Sequence, residues 1–204
     1  MRKYITALVV FMFAVLSLVS TADSAKAVPS LYDYPWTTVA SAGTVDEGDI
    51  SIYQVNGANM DIKSSAGLPA YLNVRYNLVG VGQLLYYGGG PSIKVRYRDN
   101  GGGGRVYLSL KQVNLTTGVE STMLNFNSNS FPQSGSIQTR IVRDCGRLFS
   151  FNFWKNAYYI DAFINKTGDG GTPLLNTIQV SSSFPCFIIA GEGTETMPAV
   201  DEDK

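Results

Sequence analysis

The 204-residue sequence contains no histidine. That absence removes the usual general base near neutral pH, the serine and cysteine triads built on imidazole, and most zinc sites. Hydrolysis would have to run on carboxylates, as in glycoside cleavage by one acid and one nucleophile or base. Cysteine is scarce as well, with Cys145 and Cys186 alone, and neither has an imidazole partner to make it a nucleophile. An excess of one charge is also missing: 16 basic residues face 16 acidic ones. A balanced chain creates no field that would draw in nucleic acid or an anionic membrane, so neither partner is expected. Heptads, amphipathic helices and fixed-length repeats are absent too.

One long apolar run exists, and it sits at the N-terminus. Arg2 and Lys3 precede the stretch from Ile5 to Val19, and a small, polar run from Ser20 to Ala27 comes after it. This is the three-part layout of a secretory signal, with Ala25-Lys26-Ala27 supplying the small residues before the cut. A signal peptide over 1–27 is expected, with a mature chain from Val28. The uncharged stretch from Tyr4 to Ala22 approaches bilayer-spanning length, but Ser17, Ser20 and Thr21 dilute its end, so no membrane span is expected after cleavage. The protein is then secreted, extracellular or periplasmic. Losing Arg2, Lys3 and Lys26 from 16 bases and Asp23 from 16 acids leaves 13 against 15. The remaining 204 less 27, or 177, residues suit one domain with its own core. In an oxidising compartment the even pair Cys145 and Cys186 reads as a disulfide. Closing a loop of about 40 residues is worth roughly 4 kcal/mol in the chain-entropy account.

Period-two alternation dominates the mature chain. Asp49 to Val55 and Asn59 to Lys63 read as strands joined at Asn56-Gly57, a hairpin dipeptide. An entry segment with a first strand lies before them, in Val39 to Val45. In Tyr71 to Val79, Leu72, Val74, Tyr76 and Leu78 share one face, and Asn73, Arg75 and Asn77 the other. Gln83 to Tyr87, Ser92 to Arg98, Arg105 to Val113, Val119 to Phe126 and Ser136 to Arg143 continue the series. Arg147 to Trp154 and Ala157 to Asn165 read as the heart of the core, through Phe149, Phe151, Phe153, Ile160, Ala162 and Ile164. Leu174 to Ser181 and Cys186 to Ala190 close the domain. The glycine-rich run at 101–104 reads as a mobile loop or turn, and 166–173 as a second glycine-rich loop. From Gly191 the chain is acidic and poor in apolar residues, a disordered tail over 191–204. The expected architecture over 28–190 is an all-β antiparallel sandwich, jelly-roll-like, with a closed barrel as the alternative.

Three constellations could bind something. Lys94, Arg96 and Arg98 lie on one strand face, and Arg105 on the next strand would extend them into a basic ladder for an acidic polysaccharide. Tyr86 and Tyr87 beside a glycine loop, with Trp154, Tyr158 and Tyr159 around a hairpin, would make a platform for sugar rings. Asp46, Glu47 and Asp49 supply hard oxygen atoms within four residues, a Ca²⁺ candidate lacking the regular spacing of a calcium loop. No other cofactor is implied. Against each stands a plainer role: solvent face, core packing, acidic turn. Asp161 is the one carboxylate placed mid-strand, where it needs a cation such as Arg143 or Arg147. Asn114-Leu-Thr116 and Asn165-Lys-Thr167 fit the N-glycosylation pattern. The leading expectation is a non-catalytic binding or surface-associated module, with glycan or another extracellular protein as partner. A carbohydrate-active enzyme using paired carboxylates and a structural subunit of an extracellular assembly are the alternatives.

Overall fold

Where the sequence alternates, burial alternates. Strand β5 (Ala70–Leu78) buries Ala70, Leu72, Val74, Tyr76 and Leu78 and turns Tyr71, Arg75 and Asn77 outward. The same phase governs β6 (Gly90–Asp99), β7 (Gly104–Asn114) and β10 (Asn156–Lys166), whose inward residues include Ile93, Val95, Tyr97, Val106, Leu108, Leu110, Ile160 and Ile164. These assignments come from a computed structural model, which describes residues 35–80, 90–146 and 149–183. The leader expected over 1–27, the strands expected at 83–87 and 186–190, and the tail 191–204 lie outside the described residues.

The remaining strands are β1 (Trp36–Val39), β2 (Thr44–Val45), β3 (Tyr53–Asn56), β4 (Asn59–Ile62), β8 (Glu120–Asn127), β9 (Ser134–Arg143) and β11 (Leu174–Ser183). They form two antiparallel sheets. Sheet A runs β3-β4-β11-β6-β9, with β1 also against β11, and sheet B runs β2-β5-β10-β7-β8. Both sheets have open edges among the described residues, which sets aside the closed barrel in favour of a sandwich. Their inner faces meet in one core: Tyr97 of sheet A packs edge-on against Phe126 of sheet B at 5.0 Å, and both rings are fully buried. The only helices among the described residues are 3-10 turns of three residues, and none is long and apolar enough to cross a membrane.

Two expectations change. Val39 to Val45 is not one strand: β1 ends at Val39, a 3-10 turn spans Ala40–Ala42, and β2 begins at Thr44. The segment 149–155 is no strand either, although Phe151 is fully buried. The Asn152 carbonyl accepts from the backbone N–H groups of Lys155 and Asn156 at 3.1 and 2.9 Å, and its side chain accepts from Trp154 N at 3.2 Å. These local turns use the groups a ladder would need. The two glycine-rich loops are turns and loops as expected, and they pack backbone to backbone. Thr167 N donates to Gly103 O at 2.9 Å, the Asn100 amide donates to Gly170 O at 2.9 Å, and Thr172 N donates to the Asn100 side chain at 2.7 Å. Buried Asp99 ties the first loop down, accepting from Gly101 N at 3.0 Å and from the Ser128 hydroxyl.

Candidate functional site

In a half-wet strand the outward positions are normally small or polar. On sheet B, rings interrupt that polar pattern. The register sets Tyr71, Asn165 and Arg105 in one row across β5, β10 and β7, and Asn73, Phe163 and Tyr107 in the next. Tyr71 and Phe163 stack at 5.8 Å with 15° between their planes, and Tyr71 remains 44% exposed. The guanidinium of Arg105 lies 4.8 Å over the Tyr107 ring, and its Nε donates to Asn127 Oδ1 at 3.1 Å. Asn165 Oδ1 is enclosed without a hydrogen-bond partner. A band of three rings therefore crosses the sheet, bordered by side-chain amides.

Beside that band lies a charge network. Lys111 Nζ sits 3.0 Å from Glu120 Oε1 and 3.2 Å from Asp161 Oδ2. The Tyr159 hydroxyl donates to the other Glu120 oxygen. Glu120 reaches this face because of a bulge: β8 carries one extra residue between Leu124, opposite Leu110, and Thr122, opposite Lys111. Without that residue the alternation would turn Glu120 inward. The hydrogen bond from Tyr159 and then that from Lys111 hold the Glu120 carboxyl below its ordinary range. Lys111 is pushed up, chiefly by its hydrogen bond to Glu120. Burial, followed by Glu120, raises the Tyr159 hydroxyl. Further along, Arg75 pairs with Asp46 at 3.5 Å.

No protein-family model matches this sequence. No curated protein matches it either. Among solved structures, the chain is similar to a family two carbohydrate esterase from Cellvibrio japonicus, at 9% identity and a TM-score of 0.34 over 74% of this chain and 34% of that one. It is also similar to a protein of infectious bursal disease virus, Gt strain, at 11% identity and a TM-score of 0.30 over 72% of this chain and 32% of that one. The chain thus spans about a third of the length of each, and likenesses of this extent carry nothing about function.

The residues singled out from sequence are dispersed. Lys94, Arg96 and Arg98 share the outer face of sheet A, beside Thr139 and Ile141 of β9. Arg105 does not extend their row, because β6 and β7 belong to different sheets. Of the expected aromatic platform, Tyr158 is in the core, Tyr159 joins the Lys111 network, and Trp154 stands 93% exposed on a turn. Tyr86 and Tyr87 lie outside the described residues. Asp46 faces Arg75, and Asp49 Oδ2 accepts from Asn73 N at 2.8 Å and Nδ2 at 3.0 Å. With Glu47 they form no metal-binding cluster among the described residues, so the Ca²⁺ candidate lacks a converging ligand set. Asp161 has the cation it needs, but from Lys111 rather than Arg143; Arg147 lies outside the described residues. Sequence reasoning misses Tyr71, Phe163 and Tyr107. Their signal is a set of rings at off-phase positions, where the alternation requires polar residues.

Proposed function

We propose that this chain is an exported, non-catalytic β-sandwich module of jelly-roll type that binds glycan on the outer face of sheet B. The observation carrying this reading is the Tyr71–Phe163 stack flanked by Asn73, Asn165 and Asn127. A sugar ring offers an apolar C–H face to an aromatic ring, and its rim hydroxyls need the donors and acceptors that amides supply. Nested strand pairing, β4 with β11, β5 with β10, β6 with β9 and β7 with β8, supports the jelly roll. Export rests on the N-terminal pattern of residues 1–27. A Cys145–Cys186 bridge fits it, since no cysteine among the described residues is free.

A glycan array followed by calorimetric titration tests the reading. Tyr71→Ala and Phe163→Ala should each weaken binding at least about tenfold, or about 1.4 kcal/mol, while Trp154→Ala leaves it unchanged. Unaltered affinity in both sheet B variants, or no bound glycan at all, overturns the proposal.

One observation favours a hydrolase: Asp161 and Glu120 approach the same ammonium group. That ammonium also counts against the idea. A glycosidase needs one carboxyl that keeps its proton near neutrality, and Glu120 is held ionised by Tyr159 and Lys111. A polysaccharide panel should therefore show no turnover that Asp161→Asn abolishes.

A further inference from the structure

The charges on the outer face of sheet B are unequally satisfied. Arg75 faces Asp46, and Lys111 is shared by Glu120 and Asp161. Arg105 faces no carboxylate among the described residues. Its guanidinium plane is nevertheless fixed, by the Tyr107 ring below it at 4.8 Å and by the Nε bond to Asn127. Those two contacts leave its terminal amines as a preoriented fork, the geometry that takes a carboxylate through two parallel hydrogen bonds. The register puts Arg105 two strands from Tyr71, through Asn165, a separation of roughly 10 Å across the sheet. A disaccharide covers that span.

We infer that the ligand of this face is an acidic polysaccharide, whose uronate carboxylate is held by Arg105 while a neighbouring sugar stacks on Tyr71 and Phe163. This rests on the glycan-binding reading and adds the ligand's charge to it. A neutral glycan would accept only single hydrogen bonds from this guanidinium, without the charge-assisted pair a carboxylate makes. A carboxylate would supply the partner that Arg75 and Lys111 already possess.

Affinity electrophoresis of the full chain in gels containing polygalacturonate, alginate or hyaluronan, each beside its carboxyl-reduced counterpart, distinguishes the possibilities. At least one uronate polymer should bind about tenfold or more tightly than its reduced form at physiological salt. Arg105→Ala should erase that preference while sparing the weaker binding of the reduced polymer, and Arg105→Lys should restore only part of it. The combined variant Lys94→Ala, Arg96→Ala and Arg98→Ala, on sheet A, should change nothing. Equal binding of acid and reduced forms overturns the inference and leaves the glycan reading intact, as does a preference lost in the sheet A variant but kept in Arg105→Ala. Failure of the acidic, reduced and array glycans alike overturns both.

Discussion

Tyr97 carries a hydroxyl that the core encloses without a partner, and burial raises its ionisation to about 12. An enclosed, unbonded polar group costs free energy that its removal recovers. Tyr97→Phe should therefore leave the melting temperature unchanged or raise it, and a clear fall would reveal a bonded hydroxyl. Gly102 and Gly103 predict the opposite. Both have positive φ, +61° and +84°. A Cβ on Gly102 would lie 2.7 Å from the Gly170 carbonyl carbon, and one on Gly103 would lie 2.7 Å from Gly168 N. Alanine at either position should cost about 2 kcal/mol or more in denaturant unfolding, from left-handed strain plus a backbone clash. Gly48→Ala, where a Cβ meets nothing within 4 Å, should cost far less. Composition locates these loops in the sequence but not their mutual packing, because a glycine needed for freedom and one needed for close approach look alike. Tyr158 and Tyr159 likewise cannot share one platform, since neighbouring residues of a strand face opposite ways.

The strands β5, β6, β7 and β10 are legible because their inward positions repeat with period two, and that is a property of single segments. Beyond reach lies anything decided between segments. The alternating Phe149, Phe151 and Phe153 imitate a strand, yet Phe151 packs edge-on against Phe149 at 4.9 Å and Tyr158 at 5.0 Å without a ladder. Phe151→Ala should cost about 3–5 kcal/mol, read by chemical denaturation. The Lys111 network likewise depends on the β8 bulge, which no local pattern announces. Its pH dependence comes from the two shifts. Glu120, depressed in the folded chain, contributes stability above its unperturbed 4.5 and loses it as pH falls through the lower folded value. Lys111, raised, contributes below its unperturbed 10.5 and loses it as pH climbs through the higher folded value. The melting temperature of the native protein should thus exceed that of Lys111→Met by a constant margin between about pH 5 and 10 that shrinks on both sides. A margin independent of pH would mean that Lys111 stabilises through packing alone.

At the scale of the molecule, nested pairing makes contacts distant in sequence, as between Trp36 and Val180. Such pairings fold slowly, since chain entropy is spent before contacts form. The proposed Cys145–Cys186 bridge should offset part of that cost by constraining the unfolded chain. Reduction should lower unfolding stability by about 4 kcal/mol, and two free thiols in the denatured, unreduced protein would eliminate the bridge.

Strand β11 lies at the centre of sheet A, between β6 on one side and β4 with β1 on the other. The final described strand to leave the ribosome is thus the one around which half the sandwich assembles. A nascent chain halted before residue 174 leaves β1, β4 and β6 without the strand that joins them. Sheet A can consequently be completed only after synthesis has passed Ser183, and a fragment ending at residue 173 should be recovered as aggregate.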